Sequence, residues 1–211
     1  PVSVGLDSYR YKLVRVYVAT ERPDEAAEML ALLAVGGAPQ QYQYLLHKLL
    51  VLASRDKLDE GVVVFKELMD TSDAGVERSV RWLAYSLFGQ KLMLANKYEE
   101  AVAVLRVAAS VAPNDKARQL MDVQRFNALI ELGKLDDANA LALQLAEGAR
   151  ANERYARLVL KLVTELLSAD RKDAALRWCQ LLIDNEELVS VLREQAAMEM
   201  GWIHSGGDEH G

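Results

Sequence analysis

Five short segments of similar sequence recur along this 211-residue chain, and their spacing restricts the fold more than any other feature. They are RPDEAAEML (22–30), KLDEGVVVF (57–65), KYEEAVAVL (97–105), KLDDANALA (134–142) and RKDAALRWC (171–179). Each carries an acidic residue followed by a small one, and the small residues Ala26, Gly61, Ala101, Ala138 and Ala175 are separated by 35, 40, 37 and 37 residues. A period of this length is typical of arrays that repeat one supersecondary unit.

Each segment is predicted to open a helix, because acidic residues in a first turn face the positive end of the helix dipole. Pro23 suits a first helical position, where its missing N–H is not needed. The preceding turns contain residues such as Asn96 and Gly133, which tolerate the left-handed conformation common after a helix end. Ahead of each turn, apolar residues at three- or four-residue spacing, such as Leu158 and Leu162, indicate another helix with one buried face. The chain is therefore predicted to be a series of helical hairpins.

The periodicity gives approximate helix bounds. The first helices of the hairpins are predicted over about 7–20, 40–54, 74–95, 116–132 and 152–169. The second helices are predicted over about 23–35, 58–70, 98–110, 135–148 and 172–184. A last helix, over about 188–204, takes the place of a sixth first helix, and no second helix follows it in this sequence. It is therefore expected either to cap the array or to belong to a longer one.

Composition and linkers agree with one all-α array. The chain is 51% hydrophobic with only 4 Pro and 12 Gly, and its abundant Ala and Leu are strong helix formers. The links between hairpins are short and polar, so residues 1–211 are predicted to form a single repeat domain. Its units are expected at about 6–38, 40–72, 74–114, 115–150 and 151–186, with a terminal helix at 187–204.

The unit at residues 82–115 has a pattern of large and small residues, which falls on Tyr85, Phe88, Gly89, Leu92, Tyr98, Ala101, Leu105, Ala108 and Pro113. This pattern resembles that of the tetratricopeptide repeat (TPR) family. The other units keep the second-helix half and lose much of the first, so they resemble degenerate repeats. The resemblance implies an all-α, right-handed superhelical solenoid of about five TPR-like hairpins plus a final helix. It also implies that first helices line the inner, concave surface and that Gly89 and Ala101 permit close approach of the two helices.

No catalytic, metal-binding or cofactor-binding motif is found in the sequence. The histidines His47, His204 and His210 lack the spacing of metal ligands, and His47 is expected to be a partly buried structural residue. Cys179 falls where the family has a packing residue, so a buried thiol is expected rather than a nucleophile. Acidic pairs such as Glu99-Glu100 start helices and are expected to face solvent. We therefore predict no enzymatic activity, no metal and no cofactor.

The charge and hydropathy of the chain limit its partners. A formal net charge of −6 argues against a nucleic-acid backbone as partner, because phosphate binding requires a basic surface. No apolar run approaches the roughly 18–20 residues of a membrane span. One cysteine and no signal sequence leave both the cytoplasm and a bacterial periplasm open as the location. The TPR resemblance implies a protein or a peptide as the partner.

The candidate partner-binding residues come from the TPR resemblance. The family's groove-facing positions correspond to Tyr11, Arg15, Ser86, Gln90, Met93, Gln124, Asn127, Arg157, Lys161 and Thr164. Arg157 and Lys161 lie four residues apart and so project from one helix face, where they could pair with a carboxylate. The family's carboxylate clamp is mostly absent, because Ser86 and Gln90 replace its first Lys and Asn, and Gln124 replaces the middle Asn.

Two function hypotheses follow. In the first, the chain is a non-catalytic scaffold that binds a peptide or a partner protein in the concave groove or along an edge. In the second, it is a structural spacer of a larger repeat protein, such as those of bacterial envelope secretion or polysaccharide-export assemblies. Trp202 of the terminal helix is expected either to cover the end of the core or, with the apolar residues Met198 and Ile203, to dock a following repeat, a partner or a second copy. Tyr42 and Tyr44 are expected either to form a stacking surface or to pack across the GGAPQ link at 36–40.

Overall fold

A computed structural model describes residues 2–33, 38–71, 75–146 and 153–205 of the chain. Within these ranges the chain forms eleven helices and no strand. The helices are α1 (Val2–Ala19), α2 (Pro23–Ala31), α3 (Ala38–Ser54), α4 (Leu58–Met69), α5 (Arg78–Leu94), α6 (Tyr98–Ser110), α7 (Asp115–Glu131), α8 (Leu135–Ala146), α9 (Glu153–Ser168), α10 (Lys172–Ile183) and α11 (Ser190–His204). This all-α architecture of successive hairpins confirms the predicted fold class.

A left-handed backbone residue ends the first helix of every hairpin. These residues are Glu21, Asp56, Asn96, Gly133 and Asp170, with φ between 54° and 66°. Each stands five positions before the small residue of its segment, so the turns repeat with the period of the sequence. Among L-residues Asn and Asp adopt this conformation more readily than most, and Gly adopts it without cost. The prediction of left-handed turns at Asn96 and Gly133 is therefore confirmed.

The same hydrogen bonds close all five turns. In the third hairpin, the Asn96 N–H donates to the Met93 carbonyl at 3.1 Å, and the Lys97 N–H donates to the Leu92 carbonyl at 2.9 Å. This pair of bonds is the Schellman arrangement, which satisfies carbonyls left unpaired at a helix end. The Lys97 carbonyl then accepts from the Ala101 N–H at 3.0 Å and so begins the next helix. The turn therefore ends one helix and starts the next with only three residues between them.

The observed second helices begin where they were predicted to begin, but α2 ends at Ala31 rather than near position 35, and two first helices begin elsewhere than predicted. The five second helices begin at positions 23, 58, 98, 135 and 172, as predicted. Helix α1 begins earlier than expected, at Val2. Helix α5 begins later, at Arg78, because Gly75 has φ 84° and Glu77 is extended, with ψ 136°. Most of the GGAPQ link lies outside the described residues.

Gly89 holds the two helices of the third hairpin close together. A Cβ atom at this position would lie 2.7 Å from Cδ2 and 3.0 Å from Cγ of Leu105, which is fully buried. Real Cβ atoms do not approach other carbon atoms so closely, so the packing of α6 on α5 depends on glycine here. This contact confirms that Gly89 permits close helix approach.

Successive hairpins also pack through a glycine. A Cβ atom at Gly61 in α4 would lie 2.6 Å from Cε2 of Phe88, a fully buried ring in α5. Beside this contact, the hydroxyls of Tyr42 and Tyr85 lie 2.7 Å apart in the buried core. Burial and this hydrogen bond raise the pKa of Tyr85. Tyr42 is therefore a core residue that links two hairpins, and the expectation that it forms a stacking surface is wrong.

Ion pairs between neighbouring hairpins repeat at equivalent positions. Lys97 Nζ lies 2.6 Å from Asp59 Oδ1, and Arg171 lies 2.7 Å from Asp136 Oδ1. In both pairs, the basic residue of a turn contacts the first acidic residue of the preceding second helix. Asp59 and Asp136 are nearly fully exposed, so solvent screens both pairs and each contributes little to stability. These pairs give the recurrent basic and acidic positions a modest structural role.

The chain divides into two compact units, Pro1–Met121 and Asp122–Gly211, with the boundary inside α7. The first unit contains the core around Tyr85 and Phe88. In the second, the Tyr155 hydroxyl donates to the Ala142 carbonyl at 2.8 Å, and Trp178 Nε1 donates to Asn139 at 2.8 Å. The expectation of one domain over residues 1–211 stays a prediction.

We expect Gly61→Ala to destabilise the protein by about 1–2 kcal/mol. The added methyl overlaps the buried Phe88 ring, and overpacking costs about 1–3 kcal/mol, which the better helix propensity of alanine offsets only in part. Gly5→Ala is the matched control, because nothing lies within 4 Å of a Cβ atom at this exposed position of α1. The control should be stabilised by up to about 1 kcal/mol. Urea unfolding measures both, and equal stabilisation of the two variants would contradict the proposed contact.

Candidate partner-binding surfaces

The environment of Cys179 is that of a structural residue rather than of a nucleophile. Cys179 is fully buried, and burial, with a smaller contribution from Glu199, raises the pKa of its thiol to about 11. The thiol is therefore protonated at neutral pH and is a poor nucleophile. No group of three His, Cys, Asp or Glu side chains in the described ranges is arranged to hold a metal ion. Among the same residues, no helix is both long and apolar enough to cross a membrane.

In the first compact unit, the predicted groove residues differ in accessibility. Tyr11 and Ser86 are buried, and the Ser86 hydroxyl donates to the Leu83 carbonyl at 3.2 Å within its own helix. Arg15, Gln90 and Met93 are half-buried, and Met93 packs against the core. Arg15 and Gln90 are therefore the predicted residues of this unit that present polar groups to a partner most readily. Their role in binding stays a prediction.

In the second unit, the predicted positions on α9 are the more accessible ones. Arg157 is exposed, with Glu153 3.9 Å away, and Thr164 is exposed, with its hydroxyl 3.2 Å from the Leu160 carbonyl. Lys161 forms an ion pair with Glu131 of α7, so a partner's carboxylate would compete with this contact.

The predicted α7 positions are less open to a partner. Asn127 is half-buried and Gln124 is buried. Within the described part of the chain, Gln124 Oε1 has no hydrogen-bond partner. Arg157 is therefore the predicted residue of the second unit that a partner can contact with the least rearrangement.

Tyr11 and Arg15 line a cavity of about 160 Å³ between α1, α3 and the start of α5. Its other walls are formed by Ser8, Lys12, Gln43, His47, Gly75, Val76, Glu77 and Val80. The TPR resemblance predicts Tyr11 and Arg15 in a groove, whereas His47 is expected to have a structural role. His47 stands four residues after Gln43 on α3, and this spacing is the sequence signal that both residues share a helix face.

His47 is almost completely buried, with 1% of its surface exposed. Its Nδ1 atom lies 2.8 Å from the Gln43 carbonyl oxygen, and its ring centroid lies 4.5 Å from that of Tyr11. Nε2 has no hydrogen-bond partner among the described residues. Burial, and secondarily the charge of Arg15, lower the pKa of His47 from 6.5 to about 4. The ring is therefore neutral at physiological pH.

Tyr11 has a shifted pKa for similar reasons. Burial, together with the charge of Asp7 and the nearby Tyr44, raises the pKa of Tyr11 to about 12. Its hydroxyl therefore remains protonated at neutral pH and can donate a hydrogen bond. The cavity accordingly combines a neutral hydroxyl and a neutral imidazole with the charged groups of Lys12, Arg15 and Glu77.

A second cavity, of about 350 Å³, lies where α6 ends and α7 begins. The polar groups around it contact one another: Arg78 donates to the Ser110 carbonyl at 3.3 Å, and Arg118 pairs with Asp115 at 2.8 Å. Asn114 Oδ1 accepts from the Ala117 N–H at 2.8 Å and so caps α7. The polar residues around this cavity therefore bind one another and stabilise the first turn of α7.

The terminal helix α11 exposes an apolar stripe. Met198 is 75% exposed and Trp202 is 45% exposed, and Val191 stands on the same face. Gly201 belongs to this stripe and has open space above it. Ile203, by contrast, is only 8% exposed, because it turns toward the second-unit core. The expectation that Ile203 contributes to a docking surface is therefore wrong.

A solved structure of similar fold identifies the repeat type. The chain is similar to a structure described as a putative kinesin light chain of Podosopora anserina with nearly identical TPR-like repeats. The two share 13% sequence identity, with a TM-score of 0.52, over 94% of this chain and 96% of the other. No protein-family profile matches the sequence. No curated protein sequence matches it either. The similarity shows that this chain has the TPR-like repeat fold.

We expect His47 to make stability depend on pH. The folded-state pKa of about 4 lies below the unfolded value of 6.5, so the unfolded state binds more protons between these two pH values. The free energy of unfolding should therefore decrease as the pH falls from about 6.5 toward 4, by up to about 3 kcal/mol from this group. Urea unfolding at pH 7 and pH 4.5 measures the loss.

His47→Leu is the control, because leucine removes the titration and keeps an apolar side chain of similar size. The loss of stability between pH 7 and pH 4.5 should be smaller in this variant than in the wild type. An equal loss in the two proteins would show that His47 does not carry the effect.

Proposed function

From this TPR-like repeat fold, we propose that the chain is a non-catalytic scaffold that binds a peptide or a partner protein along its first helices. The observation that carries the proposal is the polar cavity on α1, α3 and α5, which includes Tyr11 and Arg15, two residues predicted from sequence to face a groove. Partner recognition by a groove relies on a few convergent polar groups in a concave site. The cavity has this character.

The second compact unit supports the proposal through α9. Arg157 and Thr164 are exposed there, while the apolar residues of the same helix, such as Val159 and Leu166, are buried. The polar face of α9 is therefore separate from its packing face. A partner could contact Arg157 without disturbing the core, because its ion pair with Glu153 is solvent-exposed and weak.

A second candidate function is association through α11. In the third hairpin, a second helix covers Gly89 of a first helix and places Leu105 against it. Gly201 stands on α11 with the equivalent space open and with Met198 and Trp202 beside it. This surface would accept a helix that carries a leucine or another large apolar residue. We propose that the helix comes from a second copy of this chain, because α11 itself presents such apolar residues.

Charge reversal tests the scaffold proposal. We expect Arg157→Glu to reduce the capture of one or more partner proteins from a lysate of the source cells at least tenfold, without lowering the melting temperature. Arg177→Glu is the matched control, because Arg177 is an exposed arginine on α10, the second helix of the same hairpin. Quantitative mass spectrometry compares the captured proteins. Identical capture by the wild type and both variants would refute binding along α9.

Sedimentation velocity tests the α11 proposal. The wild type should dimerise at micromolar concentration, and Trp202→Glu should shift it to monomer, because a charge in a buried interface is costly. Leu143→Glu replaces another exposed apolar residue of the second unit, on α8, and should leave the dimer intact. A wild-type protein that remains monomeric at high concentration would refute self-association.

A further inference from the structure

Helix α1 exposes an apolar stripe along one side. The stripe consists of Leu6, Tyr9, Leu13 and Val16, which stand three or four positions apart and so lie on the same side of the helix. Leu6 is 48%, Tyr9 is 59% and Val16 is 52% exposed, whereas Leu13 is half-buried. Val14, which faces the core, is fully buried. An exposed apolar surface of this kind is typical of an interaction site.

The third hairpin shows what covers the equivalent surface of a first helix. Leu13 stands eight positions before the left-handed residue Glu21, and Phe88 stands eight positions before Asn96. Phe88 is fully buried, and Gly61 of the preceding hairpin lies against its ring. The α1 stripe is therefore the surface on which another helix packs within the array. A helix with an exposed glycine, which can accept a large side chain, is the occupant that fits this surface.

Helix α11 offers a glycine of this kind. Among the helical glycines in the described ranges, Gly5 and Gly201 have nothing within 4 Å of a Cβ atom, whereas the other two are already in contact. Gly5 lies on α1 itself, and Gly201 lies in the α11 stripe beside Met198 and Trp202. A second copy of the chain therefore offers two helices that fit the α1 stripe, its own α1 and its α11.

The charges of the two helices decide between these partners. Helix α1 carries three basic residues and one acidic residue, a net charge of +2. Residues 186–204, which contain α11, carry four glutamates and one arginine, a net charge of −3 with histidine counted as neutral. Two copies of α1, or two copies of α11, therefore repel each other, whereas α1 attracts α11. The favoured pair is α1 of one copy with α11 of another.

One pair of opposite charges stands beside the two stripes. Lys12 lies at the edge of the α1 stripe, three positions after Tyr9, and Glu194 lies within the α11 stripe, three positions after Val191. Both charged side chains are exposed. Contact between the stripes would bring Lys12 and Glu194 to the rim of one interface, where opposite charges steer association and select the partner.

We propose that α1 of one copy covers α11 of a second copy, with a large side chain of the α1 stripe on Gly201 and with Lys12 facing Glu194. The proposal rests on association through α11 and names the helix that the second copy supplies. Such a contact joins two different surfaces and is therefore heterologous. A dimer either forms the contact twice or leaves one α1 stripe and one α11 stripe free.

A mixture of two variants tests which helices meet. Tyr9→Glu places a charge in the α1 stripe, and Trp202→Glu places one in the α11 stripe, so each variant alone should be monomeric in sedimentation velocity. An equimolar mixture should form a dimer, because Tyr9→Glu keeps its α11 stripe and Trp202→Glu keeps its α1 stripe. The mixture should not exceed a dimer, since only one intact pair of surfaces remains. All samples are compared at one total concentration, well above the dissociation constant of the wild type.

Val63→Glu is the matched control for Tyr9→Glu. Val63 is 66% exposed on α4, so this variant introduces the same charge at another exposed apolar position and should dimerise like the wild type. The melting temperatures of all three variants should equal that of the wild type, because each substitution lies at an exposed position. A mixture of Tyr9→Glu and Trp202→Glu that stays monomeric would overturn the proposal.

A charge exchange tests the orientation of the pair. Lys12→Glu and Glu194→Lys should each weaken dimerisation about fivefold, because each places two like charges at the rim of the contact. The double variant restores opposite charges and should recover the wild-type affinity. Lys66→Glu, at an exposed lysine of α4, is the control for net charge and should leave the affinity unchanged.

Recovery in the double variant cannot result from unfolding, because a folding defect in either single variant would persist when the two are combined. A double variant that dimerises no better than the single variants would overturn the proposed contact between Lys12 and Glu194.

The outcomes separate this proposal from the association through α11 on which it rests. If Trp202→Glu is monomeric but Tyr9→Glu still dimerises, α11 binds a second α11 and the assignment of α1 alone fails. If Trp202→Glu still dimerises, or if the wild type stays monomeric, both proposals fail. The scaffold proposal is independent of these results, because Arg157→Glu tests it.

Discussion

The left-handed residue that ends each first helix is the constraint on which the rest of the structure depends. At Glu21 and Asp56 this conformation costs about 1 kcal/mol or more, because a side chain crowds the backbone. The two N–H bonds that follow each turn offset this cost. Because the turn reverses the chain within three residues, it fixes where the second helix begins and which of its faces meets the first. A small residue five positions later then lies at the helix contact.

Side-chain contacts in the core join each hairpin to the next. Gly61 lies at the start of α4 and accepts the ring of Phe88 from the following hairpin, while Gly89 accepts Leu105 from its own. The buried contact between Tyr42 and Tyr85 joins the same two hairpins. Each hairpin therefore buries its apolar face only when a neighbour is present, as in other repeat proteins. At α11, the equivalent glycine, Gly201, has no such neighbour within the described residues.

The helices were predictable from sequence because their signals are local. Acidic first turns, small contact residues and turn residues recur with the period, and the second-helix starts follow from them directly. The start of α5 was predicted less well, because Gly75 and the extended Glu77 interrupt an otherwise helical pattern. Ile203 was misplaced for another reason, since its burial depends on the rotation of α11 against its neighbours.

The candidate site was only partly accessible to sequence reasoning. Tyr11 and Arg15 were identified from the family's groove positions, and they do line the cavity. Ser86 and Gln124 were identified in the same way and are buried, as Tyr11 is, whereas Arg15 is half-buried. His47 has a neutral ring and an unpaired nitrogen only because α1 and α3 surround it. No pattern within α3 encodes that burial.

The sequence by itself determined the repeat length, the hairpin turns and the positions where glycine or alanine must stand, since these depend on backbone conformation and on contacts between residues close in the chain. Only the tertiary structure decided which polar side chains remain accessible, which are buried and where a cavity forms. Those properties arise from the distances between helices far apart in sequence. They determine the free energy of solvation and hydrogen bonding at each site, and with it the chemistry that each surface can offer.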